Sequence, residues 1–216
     1  MSRESRAARR QRAAEIYDRL RESYPDARCA LTHTNAYELL VATILSAQCT
    51  DARVNQVTPE LFRRYPNARA LALARREQLE EVIHSTGFFR NKARNLIAMA
   101  RAVTARHDGE IPDTMTELVA LAGVGRKTAN VVLGNAFRIA EGVVVDTHVG
   151  RLSRRMKLTR ETNPERVERE LVELYPRRRW TLLAHLLIFH GRAVCAARTP
   201  RCDACSVASL CPSSRV

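Results

Sequence analysis

The most informative segment of the sequence is Leu121-Ala-Gly-Val-Gly-Arg-Lys-Thr-Ala-Asn130. One helical segment ends at its Gly-x-Gly turn, and a second begins directly after Gly125. Gly123 and Gly125 can adopt positive φ, which lets the main chain come close to a ligand. The amides of such a turn, with the start of the next helix, form a nest for one phosphate oxygen. The pattern therefore predicts a phosphate-binding site.

This is the pattern of a helix-hairpin-helix motif, which binds the DNA backbone without reading its sequence. Thr128 and the apolar residues 131–133 fit the motif together with the glycines. The alternative is an ordinary helix turn, in which glycine pairs are also common. The expected DNA contacts of the motif are Gly123, Gly125, Arg126 and Thr128.

Lys127 stands in the first turn of the second helix, beside Arg126 and near the positive end of the helix dipole. Both features disfavour the ammonium form. A neutral amine is a nucleophile that can attack the sugar C1′ and form a Schiff base. A plain phosphate contact fits the local sequence equally well. Only three of the 36 basic residues are lysines, Lys92, Lys127 and Lys157, so each raises the question of what an arginine could not do there.

Asp146 lies in the segment Val143-Val-Val-Asp-Thr-His-Val149, between three β-branched residues and an expected helix. A residue in that position is typical of an N-cap. A carboxylate near Lys127 could also take a proton from the amine and stabilise the oxocarbenium character that develops as a base leaves. The sequence is compatible with both roles.

Four cysteines near the end of the chain follow the spacing Cys195-x6-Cys202-x2-Cys205-x5-Cys211. Zinc sites usually contain two close cysteine pairs, and this segment contains one. The spacing therefore favours a [4Fe–4S] cluster with four cysteine ligands, with zinc as the alternative. The basic loop between the first two ligands, which contains Arg198 and Arg201, is suited to phosphate contact.

The net charge of +13 and the sequence pI near 10.4 indicate a polyanionic partner. Nucleic acid is favoured over an acidic membrane surface, because the chain has no basic amphipathic anchor. It also has no apolar run of about 18 residues, the length that spans a bilayer. The arginine-rich N-terminus is followed by no apolar segment, so we expect a cytoplasmic protein, associated with the nucleoid through DNA.

Apolar residues recur with a period near 3.6 and predict an all-α chain. Asn35 with Glu38 predicts a capping box that opens a helix through Gln48. Thr58-Pro59-Glu60 predicts the start of another helix. The remaining predicted helices cover 8–23, 76–84, 90–107, 114–120, 126–136, 146–155, 164–174 and 179–190.

Together these segments resemble the endonuclease III family. The resemblance rests on Leu45-Ser-Ala-Gln48 with Thr50-Asp51, Gly123 to Leu133, Val145-Asp-Thr-His148, His190-Gly-Arg192 and the four-cysteine tail, which occur in family order and spacing. It implies the helix-hairpin-helix glycosylase fold, in which two helical domains enclose a cleft. Residues 29–139 would form a six-helix barrel. Residues 1–28 and 140–216 would form a discontinuous domain with the cluster loop at its C-terminal end.

The resemblance also implies a function. The chain would be a monomeric, bifunctional DNA glycosylase and AP lyase of base excision repair. It would act on double-stranded DNA that contains oxidised pyrimidines or abasic sites, with no membrane partner. Lys127 would form the Schiff base, Asp146 would be the catalytic carboxylate, Gln48 and Phe88 would probe the duplex, and His148 would contact DNA.

The sequence departs from the family pattern at three positions. Phe88 stands where a smaller apolar wedge such as leucine is usual, Ala122 where the hairpin often has proline, and Cys49 where alanine is usual. Two other functions are compatible with parts of this pattern. A monofunctional adenine-mismatch glycosylase generally lacks a lysine at the position of Lys127, whereas a non-enzymatic DNA-binding module would not cleave an abasic site.

Overall fold

The computed structural model describes residues 4–216, and every regular element in that range is helical, as predicted. The α-helices are α1 Arg6–Ser23, α2 Ala36–Leu45, α3 Asp51–Arg64, α4 Ala68–Ala72, α5 Arg76–Ile83, α6 Phe89–Arg106, α7 Met115–Val119, α8 Arg126–Val132, α9 Thr147–Arg155, α10 Pro164–Leu174 and α11 Trp180–Ala193. Short 3-10 turns cover His84–Thr86, Arg177–Arg179 and Ala208–Leu210, and a π-helical turn covers Leu133–Phe137. None of the described helices is long and apolar enough to cross a membrane.

The chain divides into two compact units. Unit 1 contains the chain up to Arg28 together with Ala140–Val216, and unit 2 contains Cys29–Ile139. Each unit has its own apolar core. The interpretation of these units as an iron–sulfur domain and a six-helix barrel remains a prediction.

Unit 2 is built around α2. Its residues from Leu39 to Leu45 are all buried, which is the pattern of a helix surrounded by others. Helices α3, α6 and α8 pack on it, and α4 and α5 pack on α6. The hairpin that contains Lys127 is therefore anchored directly to the central helix of the unit.

Unit 1 is a cluster of helices around α11. Helices α1 and α9 pack against α11, and α10 contacts both α1 and α9. Their shared core contains the fully buried side chains Ile16, Leu20, Leu152, Leu171 and Leu187. The cysteine loop follows α11, so this core fixes the place where the loop begins.

The capping box at the start of α2 is confirmed. The side chain of Asn35 accepts a hydrogen bond of 2.9 Å from the Glu38 amide. The Glu38 carboxylate accepts from the Thr34 amide at 2.6 Å, one residue earlier than in the standard box. The helix ends at Leu45 instead of Gln48, so the predicted C-terminus was three residues too late.

The predicted helix start at Thr58 was wrong, because Thr58-Pro59 lies inside α3. The helix begins earlier, where the Thr50 hydroxyl caps it by accepting from the Arg53 amide at 3.2 Å. A proline inside a helix costs about 3 kcal/mol. Burial of one face, which includes Val54 and Leu61, continues through the proline and offsets that cost.

Two further differences concern helix length. The short helix α4 was not predicted, since its five residues contain too little of the helical period to be recognised. The predicted helix 126–136 is regular only to Val132 and continues as the π-helical turn. Such turns widen the helix locally and follow from packing, which the period of apolar residues does not reveal.

Candidate functional site

The hairpin turn joins α7 to α8 in unit 2. Gly123 has φ +78°, and a Cβ at that position would lie 3.1 Å from Cβ of Asn95. Gly125 has φ −93°, and a Cβ there would meet nothing within 4 Å. Only Gly123 therefore uses the positive φ that the sequence allows at both positions. Gly125 is exposed, and its lack of a side chain serves no packing need of the fold.

Helix α8 begins without a capping side chain, because Gly125 occupies the N-cap position. The first amides of a helix have no acceptor within the helix, so they can bind an external oxygen. Ala129 and Val132 are buried and anchor the helix to the core of unit 2. Arg126 and Lys127 are exposed on its first turn. The first turn of α8 thus presents the Lys127 amine beside main-chain amides that no side chain caps.

Asp146 is the N-cap of α9 in unit 1, so the capping role considered from the sequence is confirmed. Its Oδ1 accepts a hydrogen bond of 2.8 Å from the Val149 amide. The carboxylate is half-buried. One oxygen makes the cap, and a carboxylate has acceptor capacity on both oxygens.

His148 lies in the first turn of α9, close to Gly191 of α11. Its Nδ1 lies 3.2 Å from Nη2 of Arg151, which also donates to the Gly191 carbonyl at 3.0 Å. Burial is the main cause that lowers the pKa of His148. The charge of Asp146 raises this pKa, whereas the charges of Arg151 and Arg192 lower it further. The ring is therefore neutral at neutral pH. It can contact DNA through a hydrogen bond rather than through charge.

Close packing between helices explains the glycine in the motif His190-Gly-Arg192. A Cβ on Gly191 would lie 2.9 Å from Nδ1 of His148 and 3.1 Å from Nη2 of Arg151. The glycine lets α11 approach α9 closely enough for Arg151 to bridge the two helices. Arg151 was not singled out from the sequence, because arginines are abundant in this chain and its contacts span distant segments.

Gln48 and Phe88 both have backbone conformations that are uncommon for residues with a side chain. Gln48 has φ +53° and Phe88 has φ +47°. Gln48 is exposed, and Phe88 is 63% exposed although it is a large apolar residue. Left-handed non-glycine residues cost free energy, and they cluster at functional sites. Neither side chain is explained by the core of unit 2.

The four cysteines of the C-terminal segment line one cavity of about 270 Å³ in unit 1. Burial is the main cause that raises the pKa of Cys205 and Cys211, and the neighbouring cysteines raise it further. Four thiolates in so small a space need cationic compensation. Within residues 4–216, no three Cys, His, Asp or Glu side chains are grouped closely enough to hold a single metal ion.

Polar groups surround the cysteine sulfurs. Arg155 Nη1 donates to the Cys195 sulfur at 3.2 Å and to the Ala196 carbonyl at 2.7 Å. His190 Nε2 lies 3.4 Å from the Cys205 sulfur. Burial lowers the pKa of His190 to about 4, so its ring is neutral. A guanidinium and a neutral imidazole beside the sulfurs suit a sulfur-ligated group with net negative charge. Arg155 and His190 were not predicted as part of this site.

The two arginines of the cysteine loop differ in their contacts. Arg201 donates to the carbonyl of Ala193, at the end of α11, so part of its guanidinium holds the loop. Arg198 is exposed at the tip. Arg198 is therefore the better placed of the two for an external phosphate.

The predicted site residues divide between the units. Unit 2 contains Gln48, Phe88 and the hairpin residues, and unit 1 contains Asp146, His148, the four cysteines and the two arginines of their loop. Within unit 1, Arg151 links His148 to the carbonyl of Cys195 at 3.0 Å. The proposed DNA contact on α9 and the cysteine loop are thus joined by one side chain.

Comparison with known proteins gives consistent matches. Residues 41–177 match the family described as HhH-GPD superfamily base excision DNA repair protein. Endonuclease III of Synechocystis sp. is 56% identical over 209 residues, which cover 97% of this chain and 95% of that protein. A structure of a non-covalent endonuclease III–DNA complex has a TM-score of 0.89 at 41% identity and covers 94% of this chain and 95% of the other. A trapped endonuclease III–DNA covalent intermediate has the same TM-score and identity, with coverage of 94% and 96%.

Proposed function

Because the chain belongs to the endonuclease III family of HhH-GPD base excision DNA repair proteins, we propose that it excises oxidised pyrimidines from duplex DNA and cuts the resulting abasic strand. It is a DNA glycosylase with AP lyase activity. The observation that carries this proposal is the near full-length similarity to endonuclease III, including a structure trapped as a covalent DNA intermediate. The exposed amine on the first turn of α8 supports it.

The reaction begins with the DNA backbone. The amides of the hairpin turn bind a phosphate, and the damaged nucleotide leaves the base stack. Lys127 attacks C1′ with its lone pair as the C1′–N bond to the base breaks, and the electron pair of that bond leaves with the base, which is protonated by the proton that Asp146 takes from the amine. Asp146 takes a proton from the amine and stabilises positive charge on the sugar.

Strand cleavage follows from the covalent intermediate. The nitrogen lone pair then breaks the C1′–O4′ bond, O4′ takes a proton from water, and the sugar ring opens to a protonated Schiff base between Lys127 and C1′. This Schiff base acidifies the 2′ hydrogen, and loss of that proton expels the 3′ phosphate by β-elimination. Hydrolysis of the imine returns the free amine. The same lysine thus serves both steps, which is why one side chain can support a bifunctional enzyme.

A direct experiment tests this function. The protein is incubated with a duplex that contains a thymine glycol or an abasic site, with and without borohydride. We expect strand cleavage without the reductant and a stable protein–DNA adduct with it, since borohydride reduces the imine. A protein that binds these duplexes but neither cleaves them nor forms the adduct would be a DNA-binding module instead.

We infer that Cys195, Cys202, Cys205 and Cys211 hold a [4Fe–4S] cluster. Their spacing supports a cluster over zinc, and so does a cavity of about 270 Å³, which has room for more than one ion. The four cysteines would hold the cluster through their sulfurs, and its binding would cross-link the C-terminal loop. Arg155 then holds the Cys195 side of the loop, and Arg198 is presented to solvent beside it. No redox step is needed for base excision or β-elimination.

The cluster is tested by changing one ligand. We expect the wild-type protein to be yellow-brown with about four irons per chain, and Cys202→Ala to lose the colour and melt at a lower temperature. Iron analysis, the visible spectrum and thermal unfolding measure this. Cys49→Ala is the matched control, because Cys49 lies in unit 2, outside the cysteine loop, and should keep the iron. A colourless wild-type protein with one zinc would favour the alternative.

The substitution Gly125→Ala tests whether the amides of the hairpin turn bind a DNA phosphate. The added methyl meets no protein atom and the backbone is in an ordinary region. Alanine is a poorer N-cap than glycine but is less flexible in the unfolded chain, and these effects offset each other, so the melting temperature should change by no more than a few degrees. If the amides of the turn hold a phosphate, the methyl obstructs that approach and binding falls about 10- to 100-fold, the value of one charge-assisted hydrogen bond. Titration of a fluorescent duplex that contains a tetrahydrofuran abasic analogue measures the affinity.

Gly123→Ala is the contrasting variant. Its φ of +78° and the close Asn95 predict a loss of stability of about 1–3 kcal/mol. The pair therefore separates a glycine needed by the fold from a glycine needed by the ligand. Unchanged affinity in Gly125→Ala would mean that this turn does not hold a phosphate.

A further inference from the structure

Lys92 is one of the three lysines, and it is buried. Its side chain belongs to α6 in unit 2 and the residue is 5% exposed. Its Nζ donates two hydrogen bonds of 2.8 Å, one to the carbonyl of Leu45 and one to the carbonyl of Thr86. Both acceptors are neutral main-chain groups. Burial lowers the pKa of Lys92, with the nearby Cys49 opposing this.

One acceptor directly precedes a mostly exposed segment, and the other lies within a second such segment. Leu45 is the last residue of α2 and precedes residues 46–50, here named the Gln48 loop. Thr86 ends the 3-10 turn and lies within residues 84–88, here named the Phe88 turn. A single ammonium group thus connects, through two main-chain carbonyls, the two segments that contain Gln48 and Phe88.

Packing alone does not explain a lysine at this position. Other inward-facing residues of α6, such as Leu96 and Met99, are apolar and fully buried. A buried charge is costly unless its hydrogen bonds are worth more than its lost hydration. An apolar residue of similar length would fill the space without that cost. The ammonium is therefore explained by the two carbonyls that it holds.

The segments that it joins are also conformationally demanding. Gln48 and Phe88 both have positive φ, and such conformations persist only when surrounding contacts fix them. Main-chain carbonyls are present whatever side chains the segments have. Lys92 can thus fix the backbone of both segments without restricting the side chains that face solvent.

We propose that Lys92 is a positioning residue that holds the Gln48 loop and the Phe88 turn as one rigid element for base extrusion. This inference rests on the proposed function, because it gives Gln48 and Phe88 their roles of filling the gap and opening the stack. The wedge and the filling residue must act on the same nucleotide before the base returns to its stack. If the two segments move independently, the extruded state is lost more often than it reacts.

The proposal predicts which step fails. Extrusion of a paired base must overcome stacking and pairing, whereas an abasic site has no base to extrude. Lys92→Met should therefore lower kcat/KM for base excision about 10- to 100-fold, since extrusion costs a few kcal/mol. The rate of β-elimination on a preformed abasic duplex should stay within about threefold. A merely structural role would lower both rates together.

Two variants control for stability. Leu96→Ala removes buried contacts on the same helix and leaves both hydrogen bonds of Lys92 in place, so it should lower the melting temperature and leave the ratio of the two rates unchanged. Lys92→Gln keeps a donor at this position and should lose less excision activity than Lys92→Met. It also provides the measurement should the methionine variant not fold.

A spectroscopic measurement isolates extrusion. A duplex with 2-aminopurine opposite the lesion becomes fluorescent as the base pair opens, and Lys92→Met should slow this rise while Leu96→Ala should not. The energetic coupling between Gln48 and Phe88, measured by a double-mutant cycle, provides a second readout. The effects of Gln48→Ala and Phe88→Ala on excision should be non-additive in the wild-type background and additive in Lys92→Met.

Two different failures can be told apart. An unchanged ratio of excision to β-elimination in Lys92→Met, together with a normal fluorescence rise, overturns the positioning role. A wild-type protein that acts on neither duplex overturns the proposed function instead.

Discussion

Lys127→Gln is expected to yield a folded protein that binds abasic DNA and forms no adduct with it under borohydride. The side chain is exposed and the helix beneath it is anchored by Ala129 and Val132, so stability should change by less than about 0.5 kcal/mol. The covalent pathway requires the amine, so strand cleavage should fall at least about 10⁴-fold. Denaturing gels of the trapped complex and single-turnover cleavage rates measure the two effects.

The scarcity of lysine makes this experiment unusually clear. Lys92 is buried with its ammonium hydrogen-bonded, and Lys157 is exposed in unit 1. Lys157→Gln is thus the matched control and should form the adduct at the wild-type rate. Mass spectrometry of the digested wild-type adduct should find the deoxyribose remnant on the peptide with Lys127. An adduct that persists in Lys127→Gln would assign the nucleophile to another amine, such as the N-terminus.

Local chemistry in the sequence was enough to identify the family and the helical fold class. The spacing of Gly123, Gly125 and Lys127 predicts a turn followed at once by a helix, and the structure contains both. Asn35 with Glu38 likewise marks the start of α2, because a cap is a contact between close neighbours in the chain. The family similarity confirms the prediction based on these segments.

Features that depend on contacts between distant segments could not be predicted. Thr58-Pro59 has every local property of a helix start, but the cap at Thr50 and the burial of the face around it extend the helix through the proline. The positive φ values of Gln48 and Phe88 have no counterpart in residue type. The partners of Lys92 lie 47 and 6 residues away, so its position in the sequence suggested no contact with either segment.

Asp146 shows the limit of prediction at a single residue. The sequence allowed a cap and a catalytic carboxylate, and the structure confirms the cap at 2.8 Å. The catalytic role stays a proposal. The two roles make different demands on the side chain, because a cap needs only an acceptor oxygen, whereas proton transfer and charge stabilisation need the carboxylate itself.

Asp146→Asn should therefore separate the two roles. Asparagine caps a helix about as well as aspartate, so the free energy of unfolding should stay near the wild-type value. Loss of the carboxylate should lower the rate of base excision about 10²- to 10⁴-fold. Asp146→Ala should lose the same activity and, in addition, about 0.5–2 kcal/mol of stability. Urea unfolding and single-turnover excision of thymine glycol measure the two quantities on each variant.

Asn163→Ala supplies the control for capping. Asn163 caps α10 in the same unit by accepting from the amides of Glu165 and Arg166, and it has no proposed role in the reaction. It should lose stability like Asp146→Ala and excise the base at the wild-type rate. If Asp146→Asn also excised the base at that rate, Asp146 would be a cap alone, because a neutral amide cannot take the proton from the attacking amine.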